Sequence, residues 1–395
     1  MVDSSICLPQ ADVELADVVR RFRPQYTAQY GQAMMPSQKR ALADIAACCT
    51  EELGGRRYRC EDCYESFWHF HCCRNRACPK CHGSQTRQWL QSRQSEVLPC
   101  DYFHAVVTVP PELHAVLRRQ QKSMYGLFMR VAAGAIQELC VKRRHLGALP
   151  GILAVLHTWN GQLGYHPHVH LLISGGGITP DGQHWEPARG EFLVPVALLS
   201  RKIAAKFRAA LLAKEPAVFA GIAASVWQRE WVSFVKHYGH GNDAVLNYLS
   251  RYVFRTAISN ARILGMDQTH VMFRWKDRRA EAWRTERLPG VEFLRRFLQH
   301  VLPRGFHKVR YYGLWHPSKR SQSNRAWLLL ILETPADTTE PPKLADLLQA
   351  LGQRTEPTGE TLHDAEDDDV NAPRCPHCGS NRTRLLGEYP RSGMP

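Results

Sequence analysis

Eight of the thirteen cysteines fall between residues 48 and 82, and that crowding constrains the fold before any hydrophobic pattern is read. No basic, apolar leader opens the chain in "MVDSSICLPQADVELADVV", so the expected compartment is the cytoplasm, where thiols stay reduced. Clustered thiols there point to metal rather than to disulfides. In "YRCEDCYESFWHFHCCRNRACPKC", Cys60-x2-Cys63 is followed after fourteen residues by Cys78-x2-Cys81. Each knuckle offers two sulfurs from one tight turn, as a four-thiolate structural Zn2+ site requires. The expectation is one zinc on Cys60, Cys63, Cys78 and Cys81. Cys48, Cys73, His71 and His82 are candidates for a second site or a shifted ligand set, and Cys49 and Cys72 are as readily passengers. A last pair, Cys375 and Cys378, has no second pair near it in sequence. It has lost its other half, borrows ligands, or binds no metal.

The chain carries 51 Lys and Arg against 37 Asp and Glu, a net +14, and much of the acid sits in one stretch at 356–369. The remainder is therefore more basic still. A basic chain with 10 Trp and 13 Tyr points to nucleic acid before membrane. No apolar run approaches the roughly 20 residues of a membrane span; "WLLLIL" at 327–332 is far too short.

Apolar periodicity predicts an α+β chain. A helical segment covers 1–47 and the cysteine-rich module 48–100. The span 101–333 alternates strands with helices, 334–372 is an acidic, Pro- and Thr-rich linker, and 373–395 is a tail with the last knuckle. Within the central span, strands are expected at 101–110, 151–160, 166–174, 270–275 and 281–288, with a turn at 175–177. Helices are expected at 112–143, 196–213, 223–237, 242–253 and 290–302. At length 395 the chain is long enough for two or three domains.

"GYHPHVHLLIS" (164–174) sets His168 and His170 two apart on a strand, so both imidazoles share one face. His157 ends the preceding strand. If the two strands pair antiparallel, it faces that pair across the sheet. Three neutral imidazoles suit a divalent metal and leave open coordination positions. The bland alternative is hydrogen-bonded histidines at a strand edge. In "NDAVLNYLSRYVFR" (242–255), Tyr248 and Tyr252 lie four apart, on one helix face. Such a pair alone is more often a core stripe than chemistry, though two phenols followed by Arg251 and Arg255 are unusual for one. Arg74, Arg76 and Lys276 add candidate DNA contacts, with Arg262, Arg278 and Lys308 among other cations. Trp275, Trp283 and Tyr311 are candidates to stack on bases. No G-x4-G-K-[ST] motif occurs.

In order along the chain stand "LGG…YRCEDC…CRNRACPKC" (53–81), "LHTWNGQLGYHPHVHLLISGGG" (156–177), "YLSRYVFRTAISNARI" (248–263), "FRWKDRR" (273–279) and "EFLRRFLQHVLPRGFHKVRYYG" (292–313). This ordered set resembles the insertion sequence 91 family of transposases, which are two-tyrosine, rolling-circle HUH endonucleases. The resemblance implies an HUH-type antiparallel sheet with flanking helices behind a Cys-rich zinc-binding module. It implies that His168 and His170, with His157, ligate a catalytic Mg2+ or Mn2+. It also implies that Tyr248 and Tyr252 are the nucleophiles, cutting single-stranded DNA at transposon ends and target through a 5′-phosphotyrosine. Where the family carries an asparagine-serine-cysteine run this chain has "HCC" (71–73), leaving His71, Cys72 and Cys73 as alternative ligands. The competing readings are a plasmid relaxase or rolling-circle replication initiator, a non-catalytic zinc DNA-binding protein, and a metallohydrolase that attacks with water.

Overall fold

A computed structural model describes residues 13–81, 97–253, 255–277, 279–333 and 372–390. Residues 334–371 of the expected linker at 334–372, the start of the N-terminal segment, His82 and Arg278 lie outside the described residues. In chain order the helices are α1 (Leu15–Tyr30), α2 (Pro36–Ala46), α3 (His114–Arg119), α4 (Gln121–Cys140), α5 (Val196–Lys214), α6 (Pro216–Ala220), α7 (Gly241–Tyr248), α8 (Gly290–Leu298) and α9 (Arg320–Glu333). The strands are β1 (Gly55–Cys60), β2 (Ser66–Phe70), β3 (Asp101–Thr108), β4 (Gly151–Trp159), β5 (Tyr165–Ser174), β6 (Gly176–Ile178), β7 (Trp185–Pro187) and β8 (Val232–His240). They continue with β9 (Ile263–Met266), β10 (His270–Asp277), β11 (Ala282–Pro289), β12 (Val309–Gly313) and β13 (Thr383–Tyr389). The chain is α+β, as its sequence predicts. No helix among the described residues is long and apolar enough to cross a membrane.

The central sheet has five strands in the order β12-β4-β5-β3-β8, every neighbouring pair antiparallel. Because side chains alternate along a strand, its two faces serve different purposes. One presents Phe103, Ala105, Val107, Ile152, Ala154, Leu156, Val169, Leu171 and Ile173 to a core shared with α4 and α5. The other carries Tyr102, Leu153, Val155 and Leu172 against residues of α7 and α9, including Val245, Tyr248, Ala326 and Leu330. His104, His157, His168 and His170 belong to this second face, by strand parity with those neighbours.

A second core joins α1 and α2 to the three-stranded sheet β11-β10-β9, to α8, and to Cys48, Cys78 and Cys81. On α1, Leu15, Val18, Val19, Phe22 and Tyr26 are buried, which is the spacing of one helix face. They meet Phe293, Leu294, Phe297 and Leu298 of α8 in that core.

Four expected elements differ from what forms. Residues 223–237 do not make a helix: a short 3₁₀ turn at Ala224–Gln228 leads into β8, which pairs with β3. Trp231 and Val232 are buried in the main core, and the open sheet edge decides the conformation of a segment rich in aromatic and β-branched residues. The helix expected at 112–143 is broken at Gln120, whose non-helical backbone (φ −124°, ψ 49°) separates α3 from α4. The turn expected at 175–177 is partly strand, since β6 pairs with β7. Glycine is required there because a Cβ at Gly176 would lie 2.6 Å from the Trp185 ring. The helix expected at 242–253 keeps α geometry only to Tyr248, and Leu249–Val253 is a π-helical turn.

The seam between α1 and α8 is tight: a Cβ at Gly290 would lie 2.2–2.4 Å from three atoms of the Phe22 ring. Gly290→Ala should therefore cost about 1–3 kcal/mol by overpacking, read as a lower midpoint of thermal unfolding. Gly290→Ala combined with Phe22→Leu should recover part of the loss. An unchanged midpoint for the single variant would contradict this packing.

Candidate active site

The loop between β4 and β5 sets the register of the histidines. Asn160 Oδ1 accepts hydrogen bonds from the backbone N–H of Gln162 (3.0 Å) and Gly164 (2.7 Å), and Asn160 N–H donates to the Gly164 carbonyl at 3.0 Å. This closed turn pairs His157 directly with His168. His170, two residues on, stands on the same face. The metal-capable nitrogens of the three side chains lie within 4.8 Å of one another. The structure thus brings together the three histidines singled out in the sequence.

Neighbouring groups fix which nitrogen each ring offers. A carbonyl only accepts, so His157 Nε2–H donates to the Tyr252 carbonyl (2.7 Å), leaving Nδ1 with its lone pair. His168 Nδ1–H likewise donates to the His166 carbonyl (2.8 Å), leaving Nε2. His170 Nδ1 lies 2.9 Å from His104 Nε2. If His170 donates there, its Nε2 carries the lone pair and becomes the third candidate ligand atom. Burial, with the nearby His168, holds His157 well below the ordinary histidine pKa, so it is neutral at physiological pH. Three imidazoles gathered on one face, His157 and His168 with their other nitrogens engaged by carbonyls, fit a divalent cation. His104 was missed in the sequence. The one signal was a polar residue inside the apolar run "DYFHAVV".

Tyr252 is half-buried, its ring centroid 4.1 Å from His170 and 4.7 Å from His104. Tyr248 is fully buried behind it, with ring centroids 5.0 Å apart. Burial, then the neighbouring Tyr252 and Tyr238, raises the Tyr248 phenol well above its ordinary pKa, and its hydroxyl makes no hydrogen bond of normal geometry. The two tyrosines span the change from α to π geometry, a wide turn often found where a helix serves a site.

The expected DNA contacts divide. Arg251, Arg255, Lys276 and Arg74 are exposed. Arg76 is not available for phosphate: its guanidinium donates to the carbonyls of Leu302 (2.8 Å), Pro303 (2.6 Å) and Phe306 (2.6 Å), tying the cysteine segment to the loop after α8. Arg262 is similarly committed to the carbonyls of Arg274, Ala257 and Gly161. Lys308 donates to the Arg255 carbonyl at 3.3 Å, and burial together with Arg76 pushes it down to about 7. Trp283 is exposed under Arg274, whose guanidinium carbon is 5.1 Å from the ring centroid. Trp275 and Tyr311 pack against the cores instead.

The four cysteines expected to share one zinc do not meet. Cys78 and Cys81 cluster with Cys48 and Cys73, whereas Cys60 and Cys63 cluster with Cys375 and Cys378. The reason is that β1 and β2 form a hairpin carrying the first knuckle away, while Cys48 at the end of α2 reaches the second inside the helical core. Cys73 is the member of "HCC" that joins the cluster: its Sγ is 3.5 Å from that of Cys81. Cys72 faces Cys49 at 3.1 Å, and His71 Nε2 lies 3.7 Å from Glu388.

Two family models match the chain: one described as "Putative transposase" over residues 151–323, the other as "Transposase zinc-binding domain" over residues 18–109. The "Putative transposase y4qJ" of Sinorhizobium fredii is 36% identical over 362 residues, covering 87% of this chain and 91% of that protein. The "Transposase for insertion sequence element IS801" of Pseudomonas savastanoi pv. phaseolicola is 28% identical over 291 residues, 69% of this chain and 68% of that protein. No solved structure matches.

If His104 orients His170, His104→Ala should weaken Mn2+ binding about 10–100-fold, measured by titration against the spectroscopic signal of free Mn2+. Unchanged affinity would show that the pair does not set the ligand nitrogen.

Proposed function

The chain belongs to the insertion sequence 91 family of transposases, and from that premise we propose that it nicks and rejoins single-stranded DNA at transposon ends by tyrosine transesterification. The observation that carries this reading is the Tyr252 ring 4.1 Å from His170, beside three converging imidazoles. A divalent cation, Mg2+ or Mn2+, held by His157, His168 and His170 would neutralise charge on the scissile phosphate. An all-nitrogen set suits Mn2+ better than Mg2+, which prefers oxygen and retains water.

A phenol with a pKa near 10 is a weak nucleophile, so position has to supply much of the rate. Tyr252 is fixed through its own carbonyl, which accepts from His157. Its phenol oxygen attacks phosphorus, the bond to the 3′ oxygen breaks, and the phenol proton is lost as the 3′-OH gains one. The 5′ end stays on the tyrosine, and the phosphodiester energy is kept for rejoining. Tyr248, buried one turn behind, takes the second strand transfer once the π turn opens. Exposed Arg251, Arg255, Lys276 and Arg74 contact the DNA backbone. The cluster of Cys48, Cys73, Cys78 and Cys81 holds structural zinc, and the protein acts in the bacterial cytoplasm, on the nucleoid. A relaxase or replication initiator would use the same chemistry. The names of the two relatives favour the transposase.

A labelled single-stranded oligonucleotide from the element's own ends, with Mn2+ or Mg2+, tests the proposal on a denaturing gel. Wild type should give a band at protein mass that EDTA abolishes. Tyr252→Phe should lose the first cleavage, whereas Tyr248→Phe should cleave once but fail the second transfer. Cleavage without an adduct would instead mean attack by water, and binding without cleavage a DNA-binding role alone.

A further inference from the structure

The tail knuckle lies outside both family matches, which end at residues 109 and 323. We propose that Cys60, Cys63, Cys375 and Cys378 bind a Zn2+ of their own, in a site whose halves come from opposite ends of the chain. The four sulfurs lie within 4.8 Å of one another. Cys60 Sγ is 3.5 Å from Cys378 Sγ, and Cys63 Sγ is 3.6 Å from Cys375 Sγ. A tetrahedral site with Zn–S bonds of about 2.3 Å places its sulfurs about 3.8 Å apart. A disulfide needs about 2.05 Å. The spacing matches the metal and excludes two crosslinks.

The backbone is arranged for the same purpose. Cys63 and Asp62 direct N–H groups at the Cys60 sulfur, Glu65 directs one at Cys63, and Ser380 directs one at Cys378. Such donors stabilise thiolate charge around a closed site. Gly379, at φ +77°, makes the turn that returns its N–H to the Cys375 carbonyl at 2.9 Å. The knuckles also grip each other. The Ser380 hydroxyl donates to Asp62 at 2.5 Å, Arg382 pairs with Asp62 at 3.0 Å, and Glu61 N–H donates to the Arg382 carbonyl at 2.9 Å.

The site explains a strand that otherwise has too little to hold it. β13 pairs with β1, from Gly55↔Tyr389 to Cys60↔Thr383. Its Leu385, Leu386 and Tyr389 remain 45–49% exposed. With so little apolar burial, hydrogen bonds to one neighbour do not secure a terminal strand. A four-thiolate zinc contributes folding free energy directly. The metal therefore anchors the C-terminal tail onto the N-terminal hairpin and closes the chain into a loop.

The test reads metal and thiols, independently of DNA cleavage. Elemental analysis of the purified full-length protein should find one zinc fewer per chain in Cys375→Ser/Cys378→Ser than in wild type. Hydrogen exchange at Thr383–Tyr389 should accelerate in that variant, while α1 and α8 keep their protection. A second measurement needs no variant. Wild-type Cys378 is solvent-exposed, yet it should resist alkylation until a chelator is added. Unchanged zinc content in the variant, or prompt alkylation of Cys378 in the zinc-replete protein, would overturn the proposal.

Discussion

The antiparallel pairing of β4 with β5 is the constraint on which the site depends. Direct pairing of His157 with His168 follows from the Asn160 turn, and a slip of one residue would send His168 and His170 to the α4–α5 face. That face is a continuous apolar core, where two imidazoles would be buried without partners. The same apolar packing that stabilises the sheet thus enforces the register that gathers the histidines.

The loop that sets this register is held in turn by the second core. Leu163, at its tip, is fully buried among residues of α1, β10 and α8, with a backbone φ of +61° that non-glycine residues seldom adopt. Its carbonyl accepts from His300 Nε2 (3.0 Å) and Gln299 Nε2 (3.0 Å), and His300 Nδ1 reaches Thr158, the neighbour of His157, at 3.1 Å. Burial lowers His300 to about 4, so it stays neutral and can accept at Nδ1 from the Thr158 hydroxyl while donating from Nε2. The cysteine cluster of Cys48, Cys73, Cys78 and Cys81 sits in or against that core, and Arg76 ties its loop to the segment after α8. The cysteine cluster and the histidine-bearing sheet are therefore one packed structure, and loosening the cluster should be felt at the histidine face.

What the sequence made legible was whatever rests on local periodicity. The two-residue spacing of His168 and His170 fixes a shared face in any strand. The four-residue spacing of Tyr248 and Tyr252 leaves their rings adjacent even though the α-helix gives way to a π turn between them. Pairings decided in space were hidden. Two identical C-x2-C spacings suggest one site, and nothing in their order reveals that each knuckle takes a different partner, one of them more than 300 residues away. The strand at 232–240 was hidden for a related reason, because only the free edge of β3 selects extended geometry there. Arg76 read as a DNA contact because a cation's commitment to buried carbonyls leaves no trace in its neighbours.

In the proposed reaction the histidine face presents Tyr252 as the attacking group. The most direct test is to trap the protein on a single-stranded end whose 3′ side is removed after cleavage, digest the complex, and map the nucleotide-bearing peptide by mass spectrometry. The geometry predicts a 5′-phosphonucleotide on Tyr252. A modification confined to Tyr248, or none on either tyrosine from DNA that has been cleaved, would contradict it.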